Sequence, residues 1–261
     1  MTLKKIRYIN LDAYNATSLL IDTYRFNFNV RFICNYLSKE VRRLNLFGDG
    51  TYKMISVRLR NTPSSCKLTY GTDFPDVLSI LLYISEQDQI TYNNTTDLTE
   101  RYEFCLKLLE RGYAFASQFK ELPLESLLNL NDKFRENNYR NEWLWKKKLI
   151  RSYGIYVFFK CYFTTFDFRL VLEVYDKKCS TLLTKGVVLR TGPDELFYHK
   201  EFRKLEIIDD KLIIKDFLDK KNFEFDLHQL SKGIFNVEKR ACEIAYFPPV
   251  DHIKLIERIT W

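Results

Sequence analysis

The hydrophobic period of this 261-residue chain changes once, near residue 150, and that change narrows the folds open to it. Upstream, apolar residues recur at three- and four-residue steps. Phe26, Val30, Ile33, Leu37, Val41 and Leu44 share one stripe and predict a helix over 26–46, ended by the turn Gly48-Asp49-Gly50. Leu98, Tyr102, Cys105, Leu109, Tyr113 and Ala116 predict a second helix over 97–119. The polar run from Asn93 to Asp97 reads as a linker that supplies its N-cap. Pro123 suits the first turn of a third helix, running to Asn137. Asn141 reads as the cap of a short helix carrying Trp143, Leu144 and Trp145. Ile55, Val57 and Leu59 alternate with polar neighbours within 52–60, which predicts a half-buried strand. Pro63-Ser64-Ser65 reads as a loop, and a short element is expected from Pro75 or Asp76 to Ile84.

After Gly154 the period becomes two. Segments 155–163 and 168–175 flank Thr164–Asp167 and predict a hairpin. A strand over 182–190 follows the turn Lys177–Ser180, and 203–208 and 211–216 flank the tight turn Asp209-Asp210. Phe223, Phe225 and Leu227 alternate again, and a last helix is expected at 250–259. The fold class is therefore α+β: an N-terminal mostly helical part, then an antiparallel β-meander. Residues 1–150 are the mainly helical, basic part, and 151–261 the β-rich part. No flexible linker separates them, which also allows one continuous domain.

Several function classes are excluded early. An apolar content of 46% supports a buried core and removes disorder. Arg7, Asn10, Asp12 and Asn15 break up any secretory leader at the start of the chain. The apolar run 77–84 is far short of a membrane span, so a cytoplasmic protein without membrane contact is expected. The six cysteines contain no C-x-x-C pair and read as reduced thiols. The eight glycines form no phosphate loop, and no catalytic serine motif occurs. No enzyme activity, metal or cofactor is expected. A weaker alternative is a metal nuclease built on Asp194, Asp209 and Lys211, since Pro193-Asp194 and Asp209-Asp210-Lys211 follow a P-D…D-x-K layout.

Charge and aromatics suggest where a partner would bind. Residues 1–67 hold 12 Lys+Arg against 4 Asp+Glu, more than the whole chain's net +7. Arg42 and Arg43 on the first helix, with Arg58 and Arg60 on the following strand, read as a docking surface for phosphates or an acidic protein, or as a solvated face. Tyr153, Tyr156, Phe158, Phe159, Tyr162, Phe163, Phe166 and Phe168 crowd one hairpin. On a strand, alternate rings would fill a core and face outward as a stacking platform.

Four stretches, YRNEWLWKKK at 139–148, FDFRLVLEVYDKK at 166–178, VLRTGPDELFYH at 188–199 and LEIIDDKLII at 205–214, resemble bacterial immunity proteins, the antidotes encoded beside polymorphic or contact-dependent toxins. The resemblance covers the C-terminal half. It implies a non-enzymatic protein that binds and occludes a cognate toxin. From the charge and aromatic placement, the candidate contacts are Arg42, Arg43, Arg58, Arg60, Trp143, Trp145, Tyr198 and His199. The alternative is nucleic-acid binding through the basic N-terminal face.

Overall fold

The structure is a computed structural model and describes residues 3–13, 19–61, 67–70 and 76–239. The chain forms two compact units, Met1–Asn141 and Glu142–Trp261. The fold is mixed α+β. Among the described residues no helix is long and apolar enough to cross a membrane.

The first unit runs β1 (Tyr8–Ala13), α1 (Thr23–Leu44), β2 (Met54–Arg60), β3 (Lys67–Tyr70), β4 (Val77–Tyr83), α2 (Glu86–Asn94), α3 (Leu98–Ala116) and α4 (Leu124–Glu136). Helices predominate, yet a sheet of order β1-β2-β4-β3 organises them. β1, β2 and β4 are parallel, and β3 pairs antiparallel with β4. A parallel pair needs a crossover, and α1 supplies it between β1 and β2. Register aligns Ile9, Ile55 and Leu78, then Leu11, Val57 and Ile80, then Ala13, Leu59 and Leu82, all buried. This apolar face takes α1 and α3.

The predicted stripe on α1 is buried from Phe26 to Val41. Leu44 is exposed because the helix ends there: Asn45 turns into the left-handed region and its N–H bonds the carbonyls of Arg42 and Val41. α3 approaches the sheet closely at Gly112, where a Cβ would come within 2.6 Å of Val57 Cγ2. Helix propensity alone would make Gly112→Ala stabilising by about 1 kcal/mol. Val57 is fully buried and stiff about χ1, so overpacking outweighs that gain. Gly112→Ala is expected to lose about 1–2 kcal/mol, read as a lower urea midpoint at unchanged slope.

Two local expectations need correction. The expected linker Asn93–Asp97 begins only at Thr95: Asn93 and Asn94 end α2, which Ser85 caps by accepting from the Asp88 N–H, while Asp97 caps α3 as expected by accepting from the Glu100 N–H. The helix expected from Asn141 is strand β5 (Asn141–Ile150). Aromatic residues two apart suit a strand. The Asn141 side chain caps nothing: its amide donates to Phe32 O at 2.7 Å and Asn35 Oδ1 at 3.0 Å, and its oxygen accepts from Lys39 Nζ.

The second unit continues with β6 (Ile155–Phe163), β7 (Phe168–Asp176), β8 (Leu182–Thr191), β9 (Lys204–Ile208), β10 (Lys211–Lys215), β11 (Lys221–Asp226), α5 (Leu227–Ser231) and β12 (Glu238–Lys239). Sheet orders β5-β6-β7-β8 and β12-β11-β10-β9 are both sequential, so the expected antiparallel meander is present. Asp209 and Asp210 have φ of 46° and 60°, the two positive values a tight I′ hairpin needs. Rings fill the core: Phe159 contacts Phe225 across the two sheets, and Tyr198 stacks on Phe168 at 3.5 Å. The expected Pro63–Ser65 loop and the helix at 250–259 lie outside the described residues.

Candidate functional site

Strict alternation on β6 separates two kinds of side chain. Ile155, Val157, Phe159, Cys161 and Phe163 are buried, whereas Tyr156, Phe158, Lys160 and Tyr162 are half-buried on the opposite face. Antiparallel register sets Tyr156 beside Tyr175, Phe158 beside Glu173, and Tyr162 beside Arg169. Glu173 in turn lies beside Lys185 of β8. The rings of Tyr156 and Phe158 are 6.1 Å apart, and Phe158 meets Tyr175 edge-on at 5.4 Å. Lys147 of β5 stands 5.0 and 4.9 Å from the Tyr156 and Phe158 ring centres. Arg169 lies 5.9 Å from the Tyr162 ring. Such cation–ring contacts hold long basic side chains over the sheet.

Two buried carboxylates organise the remaining cations. Glu173 accepts from Lys160 Nζ at 2.6 Å and Tyr175 hydroxyl at 3.1 Å, and pairs with Lys185 Nζ at 3.0 Å. Asp167 accepts from Arg190 Nε at 2.7 Å and lies 3.4 Å from Arg169 Nε. Both acids are 5% exposed, while Lys160, Lys185, Arg169 and Arg190 are 37–55% exposed. The acids therefore lie beneath and the cations on top. The outer surface is cationic even though each cation is paired, and a lysine keeps further donors for a ligand.

Burial alone would raise the Glu173 carboxyl, but hydrogen bonds from Lys160, Lys185 and Tyr175 hold it below its ordinary 4.5. A depressed carboxyl stabilises the fold above its unfolded value and loses that contribution as pH falls through the folded value. Removing Glu173 leaves two lysines that can rehydrate, so the cost is below that of a sealed ion pair. Glu173→Gln is expected to lose about 1–2 kcal/mol at neutral pH. The gap to the native protein should shrink in urea titrations repeated at pH values falling below 4.5.

Within the first unit the four sequence-predicted arginines do not form one patch. Arg42 reaches the Arg7 carbonyl at 3.1 Å, beside the start of β1, and Arg43 is bonded to Glu40. Arg58 is in register with Asp12 near the end of β1, about 17 Å along the strand at 3.3–3.4 Å per residue. Arg58 and Arg60 do face away from Val57 and Leu59, but the Arg58 side chain is only 12% exposed. Burial raises the Asp12 carboxyl, against the opposing effects of Arg58 and Arg31. Trp143 packs on Phe168, and Trp145 on Phe159 and Phe202. Tyr198 is buried in the ring stack, and only His199 of that group is exposed, its Nδ1 2.9 Å from the Glu195 carbonyl.

The residues of the nuclease alternative are engaged separately. Asp194 caps a short 3-10 turn by accepting from Leu196 N–H, Asp209 occupies a hairpin tip, and Lys211 bonds Asp226 at 3.0 Å. Among the described residues no three His, Cys, Asp or Glu side chains gather as a metal site. Alternation within 155–163 marks the outward rings in the sequence. Lys160 belongs to that alternation; the other basic residues come from β5, β7 and β8, and only strand register brings them together. Comparison with family models, with curated proteins and with solved structures gives no match.

Proposed function

We propose that this protein binds extended single-stranded nucleic acid on the outer face of β6, β7 and β8. The observation that carries the reading is the row Tyr156–Phe158 with Lys147, Lys160, Lys185, Arg169 and Arg190 around it. Side chains two apart on one strand face are about 6.6–6.8 Å apart. That is about twice the 3.4 Å spacing of stacked bases, so neighbouring rings suit bases of a stretched strand. Every base has a ring face, which makes stacking tolerant of sequence, and the surrounding cations suit the phosphates. A duplex hides its base faces and would use the cations alone.

Fluorescence anisotropy with labelled single strands and duplexes tests this reading. Single strands should bind more tightly than duplexes of equal length. With about three to five phosphate contacts, log affinity should fall against log salt with a slope of about −2 to −3.5. No binding at low salt, or a preference for duplex, would sink it. The antidote reading has the family resemblance as its support. One-to-one co-purification with the product of an adjacent gene tests that reading.

A further inference from the structure

We propose that the first unit carries an independent site for a small organic oxyanion, a phosphate monoester or a carboxylate, in the cleft between the start of α1, the end of α2 and the start of α3. The cleft is half open to solvent, with a cavity volume of about 60 Å³, and Arg25, Arg101, Tyr92, Asn29, Phe26 and Ile21 are among its lining residues. A cavity of this size seats the charged group of a ligand and leaves the rest of it partly in solvent.

Its floor is apolar. Phe26 and Ile21 are buried, and Tyr92 is 6% exposed, packed edge-on against Phe26 at 5.4 Å. Two guanidiniums stand over this floor. Arg101 lies 5.6 Å from the Tyr92 ring centre and is anchored by its Nε, which donates to the Thr95 carbonyl at 2.6 Å. The anchoring bond uses Nε alone, and a guanidinium has four other N–H donors. Arg25 is exposed on the first turn of α1. Among the described residues neither guanidinium is in an ion pair. Asp22, the one carboxylate among the described residues that line the cleft, accepts from the Arg25 backbone N–H as the cap of α1.

Tyr92 supplies a third donor. Burial raises its hydroxyl pKa, against the pull of Arg101 and Arg25, so it stays protonated. Asn29 hydrogen-bonds that hydroxyl, which holds it in place. Two planar cations and a neutral hydroxyl above an aromatic floor match an oxyanion on a small apolar body. The apolar part of the lining is small, so an organic body adds to the binding of the oxyanion without dominating it.

Titration calorimetry on the full chain with phenyl phosphate, benzoate, inorganic phosphate and neutral benzamide tests the site. Saturable binding of phenyl phosphate or benzoate below about 10 mM, tighter than inorganic phosphate and benzamide, is expected. Whichever of the two binds more tightly identifies the oxyanion. Arg25→Gln and Arg101→Gln should each weaken it about tenfold or more. Arg25 is solvent-exposed, so its variant should melt as the native protein does and keeps the test valid if Arg101→Gln unfolds. No saturation by either anion, equal binding of benzamide, or unchanged affinity in Arg25→Gln would overturn the proposal.

Discussion

Replacing Tyr156 and Phe158 together with alanine is expected to weaken single-strand binding by at least about 30-fold. Each ring that stacks on a base contributes about 1–3 kcal/mol, and two at the lower limit give that factor. Both are half-buried on the outer face while the core residues of β6 alternate with them, so the fold should survive the change. Anisotropy measures the affinity and circular dichroism checks the fold. Lys147→Ala should behave differently. It removes a cation, so it should flatten the salt slope by about 0.7 while the stacking contribution remains.

Phe168→Ala should have the largest effect on stability, about 3–5 kcal/mol. Phe168 is fully buried and stacks on Tyr198 at 3.5 Å and 11°, with Phe202 parallel at 5.8 Å. Phe163 and Trp143 meet it from other sides. Its removal opens a cavity among rings that cannot collapse without leaving their own partners. Against a domain stability of about 5–15 kcal/mol this is a large share. Phe166, two residues earlier, is 42% exposed in the hairpin loop. Phe166→Ala should change stability by under about 0.5 kcal/mol. Urea titrations followed by tryptophan fluorescence separate the two, because Trp143 reports directly on the Phe168 cluster.

These contrasts also mark what was legible in the sequence. Short-range periodicity carried the long helices and the β6–β7 hairpin, because one buried face is enough to set a period. β1 gives little signal: Ile9, Leu11 and Ala13 alternate over only six residues, and its partner β2 lies far along the chain. A parallel sheet leaves no hairpin signal. Trp143 and Trp145 suit either a helix or a strand locally, and the aromatic core of the second unit decides for a strand. At the candidate site, the outward rings of β6 were visible as alternation. The burial of Glu173 was not, since a glutamate reads as exposed until Lys160 and Lys185 are known to flank it. In the sequence the N-terminal arginines look like one surface. The antiparallel course of α1 along β1 separates Arg42 from Arg58.

Ultraviolet cross-linking of a 5-iodouracil-substituted single strand, followed by peptide mapping, tests the central claim most directly, because it reports contact with the rings themselves. Adducts should concentrate in Ile155–Phe163 and Phe168–Asp176, above all at Tyr156, Phe158 and Tyr175, and should vanish in the Tyr156→Ala/Phe158→Ala protein. Adducts confined to Met54–Arg60 or to α1, with these two strands unlabelled, would contradict it.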